Sequence, residues 1–157
     1  AFLGGLFGGW LDTKVGPKRA LIIEIIGMVT MLAFQLSITQ ESLFFGAVQN
    51  YQVWDGLIFQ SLSDIVYLSS ISVVAVTATA SISSSRSMLV HLAPPGRSGE
   101  FFGLYAIAGT VTVWAGPLLV EIFTTAFNSQ RIGMASISML FLAGLAVLTT
   151  VKMEKHA

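Results

Sequence analysis

Long apolar runs recurring along the chain constrain it more than any other feature. Residues 20–38, 63–85, 101–124 and 132–151 are almost free of charge, and each matches the ~20 residues an α-helix needs to cross a bilayer. Composition agrees. A soluble domain carries roughly a quarter charged residues, whereas only 10% of these 157 residues are charged and 54% are hydrophobic. Mean hydropathy is +0.80. So little polar surface cannot coat a soluble fold. The expectation is an all-α, polytopic transmembrane helix bundle spanning residues 1–157. Residues 1–10 are apolar from the start and would cover only ~15 Å as helix, about half a bilayer core. They lack the basic leader and cleavage site of a signal peptide. They are expected to end a span that begins upstream, which would make the chain part of a longer protein.

Charge excludes several classes. Eight Lys and Arg balance eight Asp and Glu, so no basic field points to nucleic acid. There is no cysteine, which removes disulfides and thiolate-bound metals. His91 and His156 are far apart in sequence, so no metal cluster and no cofactor is expected. No Ser-His-Asp set or phosphate-binding glycine loop is present, and the chain does not read as an enzyme.

The connectors set an orientation. Helices alternate direction, so the 12–19 and 86–100 connectors and the tail fall on one side. That side holds Lys14, Lys18, Arg19, Arg86, Arg97, Lys152 and Lys155; the other holds Arg131 alone. By the positive-inside rule the basic side, with the C-terminus, is cytoplasmic. The 39–62 connector has no Lys or Arg. Its Phe44, Phe45, Tyr51, Trp54 and Phe59 suit an aromatic belt at headgroup level, with room for a short interfacial helix.

Several residues are candidates for function. In "GGWLDTKVGPKRAL", residues 8–21, Gly4/Gly8 and Gly5/Gly9 have the spacing that lets helices approach closely. Gly8, Asp12, Gly16, Lys18 and Arg19 could form a latch at the cytoplasmic mouth, or a plain basic turn. Arg86, Arg97 and Glu100 fall at the same level and could join Asp12 in a gate network, or merely stop their helices sliding into lipid. Pro94 and Pro95 should end the second full span. Glu24 and Glu121 lie within spans, each about one turn from an end. They are candidates for a proton relay, with snorkelling as the competing reading. Asp64 opens its span. Gly103, Gly109, Gly116 and Pro117 suggest bends in the 101–124 span, with the principal bend at Gly116-Pro117. The Ser- and Thr-rich stretch 67–85 suits close packing, or a wet path.

Two stretches resemble the major facilitator superfamily. Gly8, Asp12, Lys18 and Arg19 are similar to its glycine–aspartate–basic loop between paired helices, although Gly16 lies four residues after Asp12 where three is usual. Residues 83–119 resemble the branch containing the fungal vacuolar amino-acid effluxer and its bacterial relatives. The resemblance rests on Ser85-Arg86-Ser87, Leu92-Ala93-Pro94-Pro95, Glu100 to Tyr105, Gly109 and Gly116-Pro117, and continues in "NSQRIGMAS" at 128–136. It implies the end of helix eight through helix twelve of a twelve-helix secondary transporter, in a bacterial inner membrane. Such a transporter moves a small solute, with an amino acid as the candidate, by alternating access. The expected partners are an N-terminal half of the same chain, the lipid bilayer, and a solute whose movement could be coupled to protons. A non-transporting sensor or assembly protein on the same scaffold is the alternative. No substrate contact is assignable.

Overall fold

The computed structural model describes residues 2–39, 42–56, 58–94 and 96–151. Pro95, Lys152, Lys155 and His156 lie outside the described residues. Six helices dominate: α1 (Phe2–Val15), α2 (Pro17–Leu36), α3 (Leu62–Leu92), α4 (Ser98–Thr112), α5 (Ala115–Phe127) and α6 (Gln130–Thr150). Four stretches are long and apolar enough to cross a membrane: α2, α3, α4 with α5, and α6.

Local chemistry explains the helix ends. Gly16 has φ 84° and ψ 153°, a region essentially confined to glycine. Pro17 then takes the first helical position of α2, where its missing N–H costs nothing. α3 begins with a reciprocal capping box: the Ser61 hydroxyl accepts from Asp64 N–H, and the Asp64 carboxylate accepts from Ser61 N–H, both at 3.3 Å. Asp64 is thus a cap. α5 stops at Asn128, in left-handed conformation with its N–H on Thr124 O, a role asparagine tolerates well.

Two expectations need correction. The span placed at 63–85 runs on to Leu92, so Arg86 and His91 are helical rather than part of a connector. Nothing in Ser87–Leu92 breaks a helix; the first breaker is Pro94. The 39–62 connector holds no interfacial helix among its described residues. It forms a small antiparallel hairpin, β1 (Ser42–Leu43) with β2 (Val48–Gln49), around a 3-10 turn at Phe44–Gly46. Its Phe44, Phe45, Tyr51, Trp54 and Phe59 are exposed.

Packing centres on α1, α2 and α3. The buried residues repeat at every fourth position: Gly4 and Gly8 on α1, Ala20, Glu24 and Met28 on α2, and Ala80, Ser84 and Met88 on α3. Residues four apart share one helix face, so small residues line the seam. A methyl placed on Gly8 would lie 2.9 Å from Ala80 O, and one on Gly4 2.5 Å from Val76 O. Gly5 and Gly9 face open space. Only one of the two glycine pairs therefore brings helices together. α6 packs on α5 in the same way: a methyl on Gly133 would meet Val120 O at 2.8 Å and press on the Thr124 side chain.

α4 behaves differently. Like α5 it buries none of its residues, but unlike α5 it touches other helices only sparsely. A hydrogen bond between Ser85 Oγ and Tyr105 Oη, at 2.9 Å, links it to α3. Leu104, Ile107 and Val111 stay exposed.

Candidate functional site

Glu24 sits on the seam of α1, α2 and α3 and is 1% exposed. Its place in the i, i+4 row of α2 puts it there, between Ala20 and Met28. Ser84, wholly buried on α3, donates its hydroxyl to Glu24 Oε1 at 3.0 Å. The other oxygen, Oε2, is buried without a partner, and so is Oδ1 of Asp12 at the end of α1. Among the described residues no cation pairs with either acid. A buried polar atom without a partner costs on the order of 1–3 kcal/mol. Burying the Glu24 carboxyl with a single hydroxyl for a partner is costly for a charged group.

The residues expected to form a cytoplasmic latch separate into distinct roles. Gly8 is the contact with α3, and Gly16 supplies the backbone conformation that starts α2. Lys18 reaches away from Asp12. Its Nζ donates to Val151 O at 2.6 Å and Thr149 O at 3.2 Å, at the C-terminal end of α6. Arg19, Arg86, Arg97 and Glu100 are exposed and make no side-chain hydrogen bond or ion pair with one another or with Asp12 among the described residues. Arg97 and Glu100 start α4, Arg97 as its N-cap.

Glu121 is exposed on α5 and lines a cavity of about 620 Å³ between α5 and α6, together with Gly116, Pro117 and Thr125. The interruption between α4 and α5 falls at Val113 and Trp114, one turn before Pro117. Proline lacks the N–H that would bond to the carbonyl four residues back, here Val113, and its ring crowds that carbonyl. Val113 and Trp114 keep near-helical angles, so the chain is loosened there rather than turned. Gly103, Gly109 and Gly116 have open space beside them.

Three contacts could not be read from the sequence: Ser84 to Glu24, Lys18 to α6, and Arg131 Nη2 to Ile38 O at 3.2 Å. The i, i+4 spacing of Ala80, Ser84 and Met88 is the signal that marks Ser84 as inward-facing. The two cation contacts depend on which helices are neighbours.

Helices of this length and apolarity, without a coating of charge, define an integral multi-pass membrane protein. The family described as vacuole effluxer Atg22 like matches residues 59–157, more than half of the chain. The protein belongs to that family, which is one of transporters rather than enzymes. The match begins after α2, so Asp12 and Glu24 lie outside it. No curated protein matches the chain, and no solved structure does.

Proposed function

We propose that this bundle is one half of a secondary transporter that moves a small solute by alternating access, with amino-acid efflux as the reading the family name favours. The observation that carries it is the contrast between a close seam and a loose helix. α1, α2 and α3 pack through glycine, alanine and serine, whereas α4 buries nothing and touches its neighbouring helices only sparsely. A seam so tight moves as a unit. The uncovered face of α3 and α4 is where a second half, upstream in the same polypeptide, would close the path. Discontinuous helices at such interfaces are a recurring element of transporters, and Pro117 loosens α4–α5 in the middle of its span.

Glu24 is the residue we assign to proton coupling, with Ser84 as its hydrogen-bond partner. Its burial and its unpartnered oxygen support this. Glu121, exposed beside the α5–α6 cavity, is the second relay candidate. Arg86, Arg97, Glu100 and Asp12 lie at one end of the bundle, and the gate network would form among them in the conformation that closes that end. The excess of Lys and Arg supports a cytoplasmic position for this end and for the C-terminus, and a bacterial inner membrane is the setting we propose for it.

The test is flux. The full-length protein, reconstituted in liposomes with an imposed pH gradient, should move labelled amino acids against their concentration. A folded protein that moves none, and no other small solute, would favour a sensor or assembly role on the same scaffold.

A further inference from the structure

Opposite the basic end, α2, α3 and α6 border two adjoining open clefts of about 230 and 410 Å³ that share Tyr67 and Arg131. Arg131 and Asp64 line the same space with opposite charges, yet form no ion pair. Each has a structural contact and capacity to spare. Arg131 spends one guanidinium nitrogen on Ile38 O and keeps the rest of its fork of donors. Asp64 accepts from Ser61 N–H through Oδ2 alone. Gln35 lines the first cleft, and its Nε2 is buried without an acceptor. Leu36 and Met134 add apolar side chains to the lining.

A guest that suits this lining carries a negative and a positive group a short distance apart. The anion would accept from Arg131 and Gln35, as phosphate oxygens do in forked arginine contacts. The cation would need N–H donors for Asp64 and the Tyr67 hydroxyl. Position narrows the choice. The clefts lie where three membrane-crossing helices begin or end, which is headgroup depth. The same helices carry exposed aliphatic side chains, Ile26 on α2, Leu68 on α3 and Ile132 on α6, for the acyl chains to meet. We infer that Asp64 and Arg131, facing one cleft without pairing, hold the phosphoethanolamine headgroup of a membrane phospholipid, its phosphate on Arg131 and Gln35 and its ammonium on Asp64.

The experiment is native mass spectrometry of the full-length protein, delipidated and returned to micelles doped with phosphatidylethanolamine, phosphatidylcholine or phosphatidylglycerol. Phosphatidylethanolamine should be retained over phosphatidylcholine, whose trimethylammonium cannot donate, and over phosphatidylglycerol, which has no cation. Asp64→Asn keeps an oxygen for the α3 cap, and Gln35→Leu leaves both cation contacts intact. Each should weaken phosphatidylethanolamine retention about fivefold, the scale of one partly screened polar contact. Arg131→Lys keeps a donor for Ile38 O and should lose the forked phosphate contact by a similar factor. Retention unchanged in Asp64→Asn and Gln35→Leu would overturn the assignment. Displacement of the lipid by millimolar glycine would also overturn it, since the cleft would then be a site for a soluble zwitterion.

Discussion

Lys18 and Arg131 hold the same position in two antiparallel helices, and each serves the other's helix. Each is the second residue of its own helix, Lys18 of α2 and Arg131 of α6. Lys18 donates to carbonyls where α6 ends, and Arg131 to the Ile38 carbonyl just past α2. A cation is misplaced at the N-terminus of its own helix, but well placed beside the C-terminus of an antiparallel neighbour, where unpaired carbonyls and the helix dipole both attract it. Together they clasp α2 and α6 at both ends and hold their register.

Removing one end of this clasp should loosen the pair without unfolding it. Lys18→Met is expected to cost about 1.5–3 kcal/mol, the net scale of a hydrogen bond from a charged group. Arg131→Met, at a more exposed site, should cost less. The two contacts lie a helix length apart, so their effects should add to within about 0.5 kcal/mol in the double variant. Reversible denaturation of the reconstituted protein, single variants against double, measures this.

The seam predicts an asymmetry between adjacent glycines. Gly8→Val drives a branched side chain into the Ala80 backbone and should cost at least ~2 kcal/mol, as overpacking does. Gly9 faces open space, and Gly9→Val should leave the melting temperature nearly unchanged. Equal effects at both positions would mean that α1 does not pack on α3 through Gly8.

At Glu24 the informative change is to glutamine. Glu24→Gln keeps an oxygen for the Ser84 hydroxyl and removes the ability to exchange a proton. The folded protein should survive, solute exchange should persist, and transport driven by a pH gradient should fall at least tenfold. Parallel flux assays with and without the gradient separate these outcomes.

Pro117→Ala restores an N–H for the Val113 carbonyl. The variant should be more resistant to heat, because one more helical bond forms across the Val113–Trp114 interruption. If the loosened helix takes part in movement, the same variant should transport more slowly. Stability and flux measured on one preparation would reveal that trade.

Much of the architecture was legible because its cause is local. Apolar length marks spans, and Pro94 marks an end whose chemistry needs no partner. The length of α3 was misjudged because Arg86 is a charge but not a breaker: helices end where backbone bonding fails, not where polarity rises. The hairpin at 42–49 was unreadable because short strands of so few residues leave no periodicity. At the site, the sequence marked Glu24 as unusual through its charge alone. Ser84 looked like one of many hydroxyls on α3, and Lys18 looked like a partner for the nearby Asp12. Both assignments depend on which helix face meets which, and that is decided by packing across distant segments.

The most direct test of the account is a topology map of the full-length protein in intact cells. Single cysteines are placed at Lys18, Arg97 and Arg131, and labelled with a reagent that cannot cross the membrane. Positions 18 and 97 should label only after the inner face is exposed, and position 131 from outside. Labelling of positions 18 and 97 from opposite faces would contradict the antiparallel bundle, and with it the transporter half built upon it.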